Sequence, residues 1–274
     1  AAGTVLVKDI NPGSVASSPS NLRTIGSTLY FTANTAASGT ELWKSDGTTA
    51  GTLLVMELAA ATASSLPANL TVMGSTLYFS ASNGSTNGTE LWKTDGTTTT
   101  VVRGIFPGIT NSSPANFAVI GSTLYFSATS SSAQGIELWK SDGTSAGTVL
   151  VRDIVTGGGS SSPAVLTNIY GNLYFTALTP NEGRGLWKSD GTTAGTVLVA
   201  DIWPGTFSSA PLALGAIDQT LYILASGADT GSELFSYDLA IPEISIEQPV
   251  SIVLTDGTAP ISFGEATRSS GTTN

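Results

Sequence analysis

The sequence predicts an all-β chain, a five-bladed β-propeller of four-stranded antiparallel blades that is closed by its N-terminal strand. Three observations predict it. A Glu-Leu-Trp motif recurs in five versions about 48 residues apart, with its aromatic residue at Trp43, Trp92, Trp139, Trp187 and Phe235. Each repeat holds four short apolar runs separated by turn-forming residues. No segment shows helical periodicity, and four strands in about 40 to 50 residues are typical of a propeller blade.

The four strands of a repeat follow one another from the centre outward. The innermost follows a proline, the second contains Leu-Tyr-Phe, the third contains Glu-Leu-Trp and the outermost is rich in Val and Leu. In the first repeat these runs lie after Pro19 and at residues 29–31, 41–43 and 53–55. Gly26-Ser27-Thr28 is typical of a tight hairpin. Asp46-Gly47 supplies the next turn, because glycine adopts a positive φ without steric cost.

The two ends of the repeat array are complementary. The chain begins with an outermost strand, at residues 3–10, and its fifth repeat ends at a third strand, at residues 233–237. Pairing of these two segments would complete the last blade and remove the open edges. We therefore expect the propeller to cover residues 1–240. Residues 241–274 are expected to be a separate short β tail, either a truncated Ig-like segment or a linker.

Composition excludes several classes of partner and chemistry. The net charge is −10 with only ten Lys and Arg residues, so nucleic acid is not expected to bind. No apolar run is long enough to insert in a membrane. The chain has neither Cys nor His. Ser and Thr therefore lack their usual activating base, which argues against an enzyme.

The repeat motif resembles that of a known family. The string Glu41-Leu42-Trp43-Lys44-Ser45-Asp46-Gly47-Thr48, followed by Ala-Gly-Thr and an outer strand, is similar to the ELWxxDGT repeat family of large bacterial exported proteins. The resemblance covers residues 1–240 and implies a secreted or cell-surface location, with no catalytic residues to carry over. The tail, residues 241–274, resembles the start of an Ig-like module of the Hydin or choice-of-anchor kind. About 100 residues would be needed to close such a module.

Most carboxylates belong to the repeat, and we expect them to form turns and solvated rims. Residues spread around a ring cannot form one paired active site, so no catalytic residue is predicted. No cofactor is expected either. The alternative is calcium at the Asp-Gly-Thr turns, at Asp46, Asp95, Asp142 and Asp190. One Asp per turn is few, because calcium takes six or more oxygen ligands.

Six residues depart from the repeat and are candidate ligand contacts. Trp203, Phe207 and Phe106 are aromatic residues in connections between blades, where they could stack on a sugar ring. Arg23 stands where the other inner strands carry Thr or Ala. Glu182 and Arg184 share one variable loop.

The sequence favours a non-catalytic structural, adhesive or ligand-binding module that displays variable loops on a rigid frame. Its partner would be a protein or a glycan at the cell surface. One alternative is a multivalent lectin with sugar sites between blades. Another is an assembly unit in which residues 241–274 pair with a neighbouring chain to form a homo-oligomer or fibre.

Overall fold

The computed structural model describes residues 3–60, 62–84, 88–131, 133–227 and 229–239, and over these ranges the chain is all-β. Five antiparallel sheets follow one another along the chain. In the described part, no helix is long and apolar enough to cross a membrane. The predicted tail at residues 241–274 lies outside the described residues.

Sheets 1 to 4 have four strands each, and sheet 5 has three. Sheet 1 contains β1 (Ser20–Ile25), β2 (Thr28–Thr35), β3 (Gly39–Ser45) and β4 (Leu53–Met56). Sheet 2 contains β5 (Ala68–Met73), β6 (Thr76–Ser82), β7 (Thr89–Thr94) and β8 (Thr99–Arg103). Sheet 3 contains β9 (Ala115–Ile120), β10 (Thr123–Thr129), β11 (Ile136–Ser141) and β12 (Val149–Arg152). Sheet 4 contains β13 (Ala164–Ile169), β14 (Asn172–Thr179), β15 (Gly183–Ser189) and β16 (Val197–Ala200). Sheet 5 contains β17 (Ala213–Ile217), β18 (Thr220–Gly227) and β19 (Gly231–Asp238).

Each sheet is an antiparallel meander whose strands pair in chain order, as predicted from the four runs of the repeat. The register is the same in sheets 1 to 4. In sheet 1, Phe31 lies opposite Trp43, and Trp43 lies opposite Leu54 on the outermost strand. The first strands of consecutive sheets contact one another in sequence, β1 with β5, β5 with β9, β9 with β13 and β13 with β17. They therefore form the inner layer of the array.

The apolar core lies between consecutive sheets rather than within one sheet. One cluster joins Tyr78 and Leu91 of sheet 2 to Phe126 and Trp139 of sheet 3, and all four side chains are buried. Equivalent clusters join sheets 1 and 2, sheets 3 and 4, and sheets 4 and 5. Both faces of a sheet need apolar cover in this arrangement. This explains why the runs do not alternate with polar residues.

A left-handed residue near the start of each of the first four inner strands produces a local bulge. Asn21, Asn69 and Asn116 have φ between 55° and 57°, a conformation that Asn tolerates better than most residues. Asn116 Nδ2 donates to Ser127 Oγ at 3.1 Å and to the carbonyl of Pro163 at 3.1 Å. In sheets 2 and 3 the asparagine of the bulge therefore ties the inner strand to its own second strand and to the next repeat.

Among the described residues, sheet 5 has three strands and no fourth. Residues 3–10, predicted to be the outermost strand that completes it, do not form a regular strand in the structure. Within the described residues, β19 pairs with β18 alone. The five sheets are thus established, and closure of the ring by the N-terminal segment stays a prediction.

Candidate functional site

Three repeat glutamates are completely buried, so the expectation that these carboxylates form solvated rims was wrong for them. Glu137 accepts hydrogen bonds from Ser161 N at 2.8 Å, Ser161 Oγ at 2.5 Å and Ile154 N at 3.0 Å. Glu41 and Glu90 hold the equivalent amides and hydroxyls of the loops that follow their sheets. Burial raises the pKa of all three carboxyls, while the hydrogen bonds act in the opposite direction.

The fourth sheet lacks this glutamate, because Gly185 stands in its place. A Cβ at Gly185 would lie 2.9 Å from the carbonyl oxygen of Ala200, so a side chain there would be too close to the outer strand. Ser209, the counterpart of Ser161, donates instead to the carbonyl of Arg184 at 2.7 Å. The loop after sheet 4 is therefore held by one hydroxyl rather than by a buried carboxylate.

The Asp-Gly-Thr turns use their aspartates to stabilise themselves. Asp142 Oδ1 accepts from Thr144 N at 2.8 Å and from Thr144 Oγ1 at 2.7 Å. These hydrogen bonds lower the pKa of Asp142. The other three candidate calcium ligands make similar bonds within their turns, Asp46 and Asp190 to Thr and Asp95 to two backbone amides. In the part of the chain that the structure describes, no three acidic side chains come together as a metal site.

A lysine and a tyrosine of each of sheets 1, 2 and 3 clamp the Asp-Gly-Thr turn of the next sheet. The lysine donates to the carbonyl of the turn glycine, and the tyrosine hydroxyl lies where a Cβ on that glycine would be. The lysine bonds are Lys44 to Gly96 at 2.6 Å, Lys93 to Gly143 at 2.8 Å and Lys140 to Gly191 at 2.8 Å. The tyrosines are Tyr30, Tyr78 and Tyr125. Burial and the nearby turn aspartate raise the pKa of each tyrosine.

Sequence reasoning missed this clamp, although its signal was present. A lysine follows the aromatic residue in four repeats and a glycine follows the turn aspartate in the same four. Their spatial relation cannot be read from the spacing, because the partners belong to different repeats. The clamp makes the Trp-Lys and Asp-Gly-Thr motifs two halves of one joint between sheets.

The three aromatic candidates lie in two different loops. Trp203 and Phe207 stack on each other, with ring centroids 5.2 Å apart and planes inclined by 19°. Phe207 is 61% exposed, whereas Trp203 is half-buried. Phe106 lies in the connection after sheet 2, where its amide donates to Glu90 Oε1 at 3.3 Å. The stacked pair is therefore one surface feature and Phe106 is part of the buried glutamate site.

The charged candidates make mainly local bonds. Arg184 is half-buried and donates to the carbonyl of Ser162 at 3.0 Å and to Thr176 Oγ1 at 3.1 Å, and burial lowers its pKa. Glu182 accepts from the Thr179 hydroxyl within its own turn. Arg23 is exposed on β1 and donates to the carbonyl of Leu22 at 2.7 Å.

The structure brings four of the six candidates into one region. Gly183, between Glu182 and Arg184, packs against the backbone of Phe207, and Phe207 in turn stacks on Trp203. Arg23 is on sheet 1 and Phe106 follows sheet 2. A role for any of the six in ligand binding stays a prediction.

An apolar cavity lies on sheet 1. It has a volume of about 200 Å³ and is lined mainly by Leu6, Ile10, Pro19, Leu22, Leu29 and Phe31. The first two residues belong to the N-terminal segment and the others precede or belong to sheet 1. The cavity is therefore the space between that segment and the uncovered face of the first sheet.

Comparison with known proteins supports the fold. No family model and no curated protein matches the chain. Prolyl oligopeptidase B from Galerina marginata is similar in structure, with a TM-score of 0.51 and 14% identity over 79% of this chain. A puromycin-hydrolyzing peptidase from Mycobacterium tuberculosis has a TM-score of 0.48 and 14% identity over 81% of this chain. The acylaminoacyl peptidase from Pyrococcus horikoshii has a TM-score of 0.47 and 13% identity over 80% of this chain. The chain spans about a third of each of these proteins, 31%, 37% and 37%.

These comparisons overturn the leading functional expectation from the sequence. The similar solved structures are mostly peptidases that contain a propeller, so the assignment as a structural or adhesive module, with its lectin and tail-assembly alternatives, was wrong. That assignment depended on variable loops displayed by a rigid frame. Such loops do not distinguish adhesion from the propeller of a hydrolase. Family membership, a secreted or cell-surface location and the absence of catalysis stay predictions. At this level of identity the likeness establishes the fold, which is that of a β-propeller.

Proposed function

We propose that the chain is a five-bladed propeller domain of a larger hydrolase-type protein, that its N-terminal segment closes the ring, and that it contributes no catalytic residue itself. In this role it would be a rigid frame beside a separate catalytic domain. The structural similarity to prolyl oligopeptidase B supports the first part. The chain corresponds to 31% of that enzyme, which leaves most of the enzyme without a counterpart here.

The carboxylates and lysines of the repeat form hydrogen bonds to other parts of the propeller itself, and this observation carries the proposal. The three buried glutamates each hold the loop that leads to the next sheet. The turn aspartates accept bonds within their own turns, and the lysines bond the next sheet. A catalytic carboxylate or amine needs a bond that it can exchange for substrate. These groups are instead used to fix one sheet on another.

The continuous joints between sheets support the role of a frame. Each joint combines an apolar cluster, a buried carboxylate or hydroxyl, and in three cases a lysine that spans to the next turn. Buried networks whose members are fully bonded make a structure rigid. A rigid frame can hold a catalytic domain in a fixed position.

The proposal is tested on the gene product at its native length and on the 274-residue chain alone. A fluorophosphonate probe and a set of short peptide substrates report nucleophilic hydrolase activity. We expect labelling and cleavage by the native product, and neither by the isolated chain. A native product without hydrolase activity would overturn the link to hydrolases. An isolated chain that cleaves peptides in proportion to its concentration after further purification would overturn the assignment as a non-catalytic frame.

A further inference from the structure

The connection after sheet 4 carries two aromatic side chains at positions where the other connections carry at most one. Trp203 and Phe207 lie between β16 and β17. At the same two positions the other connections have Asn and Val, two alanines, Phe and Thr, and Val and Gly, at residues 11 and 15, 59 and 63, 106 and 110, and 155 and 159. The repeat therefore does not require an aromatic pair here.

The pair presents a flat surface that the rest of the described chain leaves open. The two ring centroids are 5.2 Å apart, and the ring planes are inclined by 19°. Phe207 is 61% exposed, while Trp203 is half-buried. Burial of an aromatic ring normally stabilises a fold, yet most of Phe207 stays in water. A ring that is open to solvent can stack on a flat partner.

The backbone around the pair is fixed. Asp201 Oδ2 accepts a hydrogen bond from Gly205 N at 3.2 Å, which closes a turn around Trp203. Gly183 of the neighbouring loop lies directly against the carbonyl of Phe207 and leaves no room for a side chain between them. A surface that is already held in place loses little conformational entropy when it binds a partner.

A buried negative charge lies in the same turn. Asp201 Oδ1 is buried and has no hydrogen-bond partner among the described residues. Its charge is weakly screened, because the interior has a lower dielectric constant than water. Glu182 and Arg184, on the neighbouring loop, carry opposite charges, so Asp201 provides the local excess of negative charge. The open rings therefore lie beside a carboxylate that lacks a compensating partner.

The connections after sheets 2 and 3 each have one of the two features. After sheet 3, Asp153 stands at the position of Asp201, and its Oδ1 is also buried without a partner among the described residues. Val155 and Gly159 replace the rings there. After sheet 2, Phe106 supplies a ring, but Gly104 replaces the aspartate. An aromatic pair and a buried carboxylate occur together after sheet 4.

An aromatic face beside a negative charge is suited to bind an organic cation, because the face of the ring attracts positive charge. A planar guanidinium stacks on a ring more readily than the compact, strongly hydrated ammonium of lysine does. The chain contains one such contact of its own, since the guanidinium of Arg152 lies 5.8 Å from the ring centroid of Trp187. The net charge of −10 also attracts cations to the chain.

We infer that Trp203, Phe207 and Asp201 form a binding site for the guanidinium group of an arginine side chain on a polypeptide partner. Free arginine fits less well, because its α-carboxylate is repelled by the same negative charge. The site goes beyond the proposed function, which assigns no ligand to the propeller.

The test is an NMR titration of the isotope-labelled full chain with N-acetyl-arginine amide, observed at the indole N–H signals of the five tryptophans. Trp203→Phe removes one of these signals and so assigns it. N-acetyl-citrulline amide is the matched neutral probe, because it has nearly the same shape without the charge. Free arginine adds the α-carboxylate, and N-acetyl-lysine amide replaces the planar cation by an ammonium.

We expect the Trp203 signal to shift with N-acetyl-arginine amide, and the affinity to be at least about threefold higher than for the other three probes. The affinity should fall as salt is raised from about 0.02 to 0.5 M. Equal binding of the arginine and citrulline amides, or no shift up to about 50 mM probe, would overturn the inference. Tighter binding of free arginine would overturn the assignment to a polypeptide.

Variants test the two features separately. Phe207→Leu removes the open ring and Asp201→Asn removes the charge, and each should weaken binding of N-acetyl-arginine amide by at least about threefold. The matched controls are Leu212→Ala, at a 66% exposed position of the same connection, and Asp153→Asn. Their affinities should stay within about twofold of wild type.

Unchanged binding in Phe207→Leu would overturn the inference even if Asp201→Asn failed to fold, because position 207 is exposed. Equal losses in the variants and their controls would overturn it as well. None of these measurements uses hydrolase activity, so a failure here is distinguishable from a failure of the proposed function.

Discussion

Lys93 Nζ donates a hydrogen bond to the carbonyl oxygen of Gly143, 2.8 Å away and fifty residues further along the chain. The bond joins the third strand of sheet 2 to the Asp-Gly-Thr turn of sheet 3, and it lies beside the hydroxyl of Tyr78. Its counterparts join sheets 1 and 2 and sheets 3 and 4. The motifs that define the repeat in sequence therefore meet between repeats in space.

Removal of this bond should destabilise the chain. Lys93→Met keeps most of the apolar stem and deletes the donor, so we expect the free energy of unfolding to fall by about 1 kcal/mol. Lys93→Arg retains a charged donor, so its free energy of unfolding should fall by less. Urea unfolding followed by tryptophan fluorescence measures both. An unchanged midpoint for Lys93→Met would show that the clamp does not contribute to stability.

The fourth sheet contains a strained residue whose repair should stabilise it. Val165 has φ of 54°, in the left-handed region, where the inner strands of sheets 1, 2 and 3 have Asn. A β-branched residue there costs roughly 1–2 kcal/mol. Val165→Asn should therefore raise the free energy of unfolding by about 1 kcal/mol. The matched control is Asn116→Val, which should lower it by at least as much, and a destabilised Val165→Asn would contradict the account.

Arg184 explains how the chain tolerates valine at this position. In sheet 3, Asn116 donates to Ser127, and the counterpart hydroxyl in sheet 4 belongs to Thr176. Arg184 Nη1 donates to Thr176 Oγ1 instead. We expect Arg184→Met to destabilise the wild-type chain more than the Val165→Asn variant, because the introduced asparagine would restore the donor. Equal losses in both backgrounds, measured as a double-mutant cycle, would argue against this substitution of one donor for another.

Much of this architecture follows from the sequence, because strand order depends on local patterns. The runs around Trp43 and its counterparts predict where strands lie, and the turn residues between them predict that consecutive strands pair. The burial of Glu137 could not be predicted, because a carboxylate usually prefers solvent and its partners are the amides of a loop about 20 residues later. The pairing of Arg184 with Thr176 escaped prediction for a similar reason. Arg184 replaces the donor that is lost where Val165 stands in place of asparagine. This pair occurs in one repeat only, so the repeat pattern does not predict it.

The buried glutamates should make the chain less stable as pH rises above the acidic range. Burial raises the pKa of Glu41, Glu90 and Glu137 above the ordinary value of 4.5, so the folded chain binds these protons more tightly than the unfolded chain. This contribution to stability is complete below pH 4.5 and is lost as pH rises through the raised folded pKa. Urea midpoints measured between about pH 4.5 and 8 should fall, and Glu137→Gln should reduce that slope. An identical slope in wild type and Glu137→Gln would contradict the assignment.

The turn aspartates should act at lower pH and in the opposite direction. Hydrogen bonds from threonine lower the pKa of Asp46, Asp142 and Asp190 below the ordinary value of 3.8. Their contribution is present above pH 3.8 and is lost as pH falls through the lowered folded pKa. Stability should therefore fall again below pH 3.8, and Asp142→Asn should weaken this dependence. If Asp142→Asn lost stability at acidic pH as wild type does, the turn bonds would not control this loss.

The joint between sheet 5 and sheet 1 can be strengthened by adding the lysine that it lacks. Ser236 occupies the position of Lys44, Lys93 and Lys140, so a closed ring would place it beside Gly47. Ser236→Lys should add a bond to the Gly47 carbonyl and raise the free energy of unfolding by about 1 kcal/mol. Ser236→Met has a similar stem without the donor and should gain less. If both variants changed the free energy of unfolding equally, or if both lowered it, the result would argue against a joint between sheets 5 and 1.

Hydrogen exchange at β19, measured by NMR on the unmodified chain, tests the closed ring most directly. The β19 amides that point away from β18 are free in an open array and bonded to residues 5–8 in a closed one. The outward amides of β3 and β7 pair with fourth strands. The account predicts that the protection factors of the β19 amides lie within tenfold of the protection factors of those amides. Exchange of the β19 amides at the rate of exposed loops would contradict it.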